Sequence, residues 1–80
     1  PSNFTFRSPP DWRATVLRNV RETQMRLHPP GGTMVCNVIQ TAVKKRAGEQ
    51  PVIFEFRLDW LRTATDEDIL RAIDASEGVR

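Results

Sequence analysis

Cysteine is almost absent: Cys36 stands alone among 80 residues, so no intrachain disulfide can staple the fold. Small secreted domains usually rely on such staples, which points to a reducing, intracellular setting, cytoplasmic or nuclear. Self-association is the other common support for a core this thin. Tyrosine is missing, and His28 is the single histidine. No apolar run approaches the roughly 18 residues of a membrane span, and no segment has the basic-then-apolar form of a signal peptide.

These shortages leave little for catalysis. The three serines, Ser2, Ser8 and Ser76, fall in a terminus, a turn and a helix end. Cys36 with His28 is the best nucleophile–base pair on offer, and a small buried thiol beside a helix-terminal charge explains both more simply. Structural zinc needs about four Cys or His ligands, twice what the chain owns. Glu67 with Asp68, or Asp59 with Asp66, lacks any calcium-loop spacing. Gly31-Gly32-Thr33 lacks the lysine of a phosphate-binding loop. The chain reads as non-catalytic, with no cofactor and no metal.

What is present suits one folded domain over residues 1–80. The composition is 39% hydrophobic and 28% charged, which is globular rather than disordered. A chain this short buries only about 60% of its unfolded surface.

Asn3–Arg7 alternates as a short strand does, and Ser8-Pro9-Pro10 stops it. Asp11 is placed to cap a helix in which Trp12, Val16, Val20, Thr23 and Leu27 share one side, ending at His28-Pro29-Pro30-Gly31-Gly32. Val35, Val38, Ile39, Ala42 and Val43 fit the amphipathic template i, i+3, i+4, i+7, i+8. A second helix is therefore expected after Thr33, closed by Gly48 and Pro51. Its β-branched content makes a strand the competing reading.

Val52–Leu58 is the clearest strand, with Val52, Phe54, Phe56 and Leu58 on one face and Ile53, Glu55 and Arg57 on the other. Thr65 and Asp68 form a capping box for a last helix that buries Ile69, Leu70 and Ile73 and ends at Gly78. The expectation is an α+β fold, a short two-stranded sheet with three helices in the order β-α-α-β-α. Its core is Val16, Val20, Val35, Ile39, Val43, Phe54, Phe56, Ile69 and Ile73.

Charge is polarised. Residues 1–47 hold eight Lys and Arg against two acids, and residues 48–80 hold four against eight. On the expected helical hairpin, Arg18, Arg21, Arg26, Lys44, Lys45 and Arg46 would form a basic strip suited to a phosphate backbone. Asn37 and Gln40 would join Lys44 as base readers, in the manner of a helix-turn-helix. A nucleic-acid-associated or regulatory binding module is the first expectation from sequence. The second is a protein-interaction or assembly module, homodimer included, that works through the edge of Val52–Leu58 and the acidic last helix. Trp12, Trp60, Met25 and Met34 are its candidate anchors.

Overall fold

Asp11 opens the first helix from an extended backbone, its side chain accepting a hydrogen bond from the Arg13 amide at 3.0 Å. This helix, α1, spans Trp12–Leu27 and ends where the His28 amide donates to the Gln24 carbonyl at 2.8 Å. The computed structural model describes residues 11–78. The expected strand Asn3–Arg7 lies outside the described residues. Val16 and Val20 are fully buried, while Trp12, Leu17 and Leu27 pack at the margin, as the helical period requires.

The segment expected to be the second helix is a strand, β1, spanning Val38–Val43. It pairs antiparallel with β2, Val52–Arg57, with Val38 opposite Arg57 and Val43 opposite Val52. Ile39 and Val43 are buried, but Val35 is 76% exposed and Val38 and Ala42 also face outward. The helical template was met by side chains that no helix buries. Val38, Ile39, Thr41 and Val43 are β-branched, and each suits a pleated ladder better than a helix interior. The turn between the strands includes Gly48 at φ +86°, a conformation that L side chains rarely adopt, so Gly48 serves the hairpin and caps no helix. Cys36 and Gly31-Gly32 likewise precede a strand, and Cys36 is exposed rather than buried.

β2 alternates as expected: Phe54 and Phe56 are buried, Ile53 and Glu55 exposed. Leu58 keeps its inward side chain but opens a one-turn helix, α2, Leu58–Leu61. The last helix, α3, spans Asp66–Gly78. Its capping box is complete: the Thr65 amide donates to Asp68 Oδ2 and the Asp68 amide to Thr65 Oγ1, both at 3.0 Å.

The fold is thus α+β, with three helices and a two-stranded antiparallel sheet in the order α-β-β-α-α over the described residues. One core unites Val16 and Val20 of α1, Ile39 and Val43 of β1, Phe54 and Phe56 of β2, Leu58 and Leu61 of α2, and Ile69 and Ile73 of α3. Trp12 stacks on Phe54 with centroids 6.0 Å apart. Among the described residues no helix is long and apolar enough to cross a membrane.

Candidate functional site

The phase of the hairpin ladder decides which groups β2 offers to its surroundings. The Leu58 amide donates to the Asn37 carbonyl at 2.8 Å, and the register places these two residues directly opposite one another. In an antiparallel ladder, hydrogen-bonded pairs alternate with non-bonded ones. The bonded pairs are therefore Asn37–Leu58, Ile39–Phe56, Thr41–Phe54 and Val43–Val52. The backbone N–H and C=O groups of Ile53, Glu55 and Arg57 point the other way, along an edge that no described strand covers.

That edge forms one wall of a groove of 710 Å³. Ile53, Glu55 and Arg57 line it from β2, Ala72 and Ser76 from α3, and Trp60 stands at the end of the strand. Trp60 is 39% exposed and stacks on Phe56 with centroids 6.3 Å apart, so it is partly core and partly groove. Arg57 donates through Nε and Nη2 to Asp59 at 3.3 and 3.1 Å. Asp59 is held below the usual carboxylate range, first by the Arg57 hydrogen bonds and then by Asn37. Arg57 is raised by the same pairing. Glu55 accepts from Gln40 across the open face of the sheet at 3.1 Å.

The residues expected to bind nucleic acid do not form one strip, because the helical hairpin meant to carry them is absent. Arg21 is a brace. Its Nε donates to Asp66 Oδ1 at 2.9 Å, its Nη1 to the Leu61 carbonyl at 3.1 Å and its Nη2 to the Ala64 carbonyl at 2.8 Å, tying α1 to the α2–α3 connection. Asn37 holds the start of α2: its Oδ1 accepts from the Asp59 amide at 2.9 Å and its Nδ2 donates to Asp59 Oδ2 at 3.2 Å. Gln40 sits on the outer face of the sheet with Glu55. Arg26 is exposed and reaches Thr23 Oγ1 at 3.5 Å. Arg18 is exposed on α1.

Lys44, Lys45 and Arg46 do stay together, at the start of the hairpin turn. They flank a cleft of 580 Å³ that Trp12, Thr15 and Asn19 line from α1. Lys45 Nζ lies 5.4 Å from the centroid of the Trp12 ring, and Arg46 Nη1 lies 3.6 Å from Glu49 Oε2.

The basic and acidic halves of the chain meet at the surface where α1 lies beside α3. Arg21 pairs with Asp66, and Arg13 with Asp74, whose Oδ2 accepts from Arg13 Nη2 at 3.0 Å while Oδ1 lies 2.9 Å from Nε. Two of the eight basic residues of the first half therefore join α1 to acids of α3.

The edge of β2 and Trp60, which line this groove, were legible in the sequence as candidates for contact. The walls supplied by Ala72 and Ser76 were not, because nothing local in α3 says which strand lies beside it. Among the described residues no group of three or more His, Cys, Asp or Glu is gathered as a metal site. Compared with known proteins, the chain matches no family model, no curated protein and no solved structure.

Proposed function

We propose that this protein is a non-catalytic interaction module that binds an extended polypeptide strand along the outer edge of β2. The single observation that carries the reading is the alignment of the outward N–H and C=O groups of Ile53, Glu55 and Arg57 with the groove beside α3. A strand added there would take its affinity from main-chain hydrogen bonds and its specificity from alternate side chains. Those facing the core side would meet Ala72, Ser76 and the ring of Trp60. Edges of this kind are ordinarily blunted or covered, because they template pairing.

The test is a peptide-display selection against the folded domain, followed by amide shift mapping of an enriched peptide. Extended, alternating sequences should emerge and shift Ile53, Glu55 and Arg57. Glu55→Pro removes an outward donor that β1 does not use, and it should abolish binding. Binding that survives Glu55→Pro and maps elsewhere would overturn the proposal.

A second reading rests on the cleft that gathers Lys44, Lys45 and Arg46 beside Trp12. Basic side chains around an aromatic ring suit a single-stranded nucleic acid. Binding of an oligonucleotide should then weaken steeply with salt, and Lys44→Ala, Lys45→Ala and Arg46→Ala together should flatten that slope.

A further inference from the structure

The outward edge of β2 carries a charge pattern that matches itself. Glu55 and Arg57 are successive outward residues, both exposed, with side chains on the open face of the sheet. We infer that the strand received by β2 is β2 of a second copy, paired antiparallel across a twofold axis with Glu55 opposite Arg57 of the partner. This rests on the strand-docking reading above and names its occupant.

Three symmetric registers pair at least two of these outward residues with one another. Centring the axis on Glu55 sets Glu55 against its own copy, and like charges directly opposite one another are destabilising. Centring it on Phe54 sets Ile53 against Glu55 and brings Pro51, which has no N–H, opposite Arg57. Centring it on Phe56 sets Glu55 against Arg57 twice over, two opposite-charge pairs flanked by main-chain bonds in both directions.

The atoms needed for those pairs are available. Arg57 uses Nε and Nη2 on Asp59, which leaves Nη1, and Glu55 accepts Gln40 through Oε1, which leaves Oε2. On the core side the two Phe56 side chains would form the close, non-hydrogen-bonded pair of the new ladder, each already stacked on its own Trp60. The product is a four-stranded sheet in the order β1-β2-β2-β1, with the helices of both copies on one face. An isolated two-stranded sheet is marginal, and doubling it removes one exposed edge from each copy.

Sedimentation equilibrium from micromolar to millimolar concentration, on the wild type and two charge reversals, tests this directly. The wild type should dimerise. Glu55→Arg sets Arg against Arg and Arg57→Glu sets Glu against Glu, so each alone should sediment as a folded monomer by circular dichroism. An equimolar mixture of the two restores opposite charges at both pairs, and it should dimerise again. A monomeric wild type, or reversals that still dimerise alone, would overturn the inference. Dimerisation that appears only after deletion of residues 1–10 would also overturn it, since the edge would then belong to the chain's own amino-terminal segment. If the wild type is monomeric yet binds a display-selected peptide at Ile53, Glu55 and Arg57, self-pairing falls and strand docking stands. If it does neither, both fall.

Discussion

The amide of Leu58 donates to the carbonyl of Asn37 at 2.8 Å, and this one bond sets the phase of the whole hairpin. Phe54 and Phe56 give their amides to β1 and Leu58 gives its amide to Asn37, whereas those of Ile53, Glu55 and Arg57 point to an edge that no described strand covers.

Proline substitutions along β2 should report that phase. Phe56→Pro removes a ladder donor and a buried ring together and should prevent folding. Glu55→Pro removes a donor that β1 never receives, so the domain should still unfold cooperatively on heating. Equal damage from the two would contradict the assigned ladder.

Phe54 is 4% exposed and stacked on Trp12 at the centre of the core. Phe54→Ala should cost about 3–5 kcal/mol, a large part of the ~5–15 kcal/mol that holds small domains folded. Urea denaturation measures it. A loss under about 1 kcal/mol would show that the two rings do not anchor the sheet on α1.

Arg21 and Arg18 lie on the same helix, and sequence gave both the same role. Arg21→Ala should lower stability by about 1–3 kcal/mol, because the Leu61 and Ala64 carbonyls lose their donors. Arg18→Ala should stay within about 0.5 kcal/mol. Denaturation midpoints of the two variants in the reverse order would contradict the brace.

Acid should weaken the fold through Asp59 and Asp68. Both are held below the usual aspartate range, Asp59 first by the Arg57 hydrogen bonds, Asp68 first by the Thr65 amide and then by Arg71. A carboxylate with a depressed folded pKa adds stability that is fully present above its unfolded pKa, near ~4, and is lost as pH falls through the folded value. Asp59→Asn with Asp68→Asn should lower stability at neutral pH and flatten its decline below pH ~4. An unchanged acid limb in urea unfolding would contradict this.

α1 and α3 were legible in sequence because their signals are local. Asp11 and the Thr65–Asp68 box cap them, and Val16, Val20, Ile69 and Ile73 keep a helical period. The alternation of Val52–Arg57 marked β2 equally well. β1 was not legible: Ile39 and Val43 are four apart, a spacing that satisfies a helix face and a strand face alike. The partner that decides between them, β2, lies nine or more residues further on. The bonds of Arg21 were not legible for a similar reason, since the carbonyls it serves belong to α2 and its connection to α3, about forty residues away.

Hydrogen exchange at three amides of β2 tests the central claim most directly. As protein concentration rises, the amides of Ile53, Glu55 and Arg57 should pass from rapid exchange to protection, while Phe54 and Phe56 stay protected throughout. If those three amides exchange rapidly at every concentration, and remain rapid when extended peptides are added, the outer edge of β2 is not the working surface of this protein.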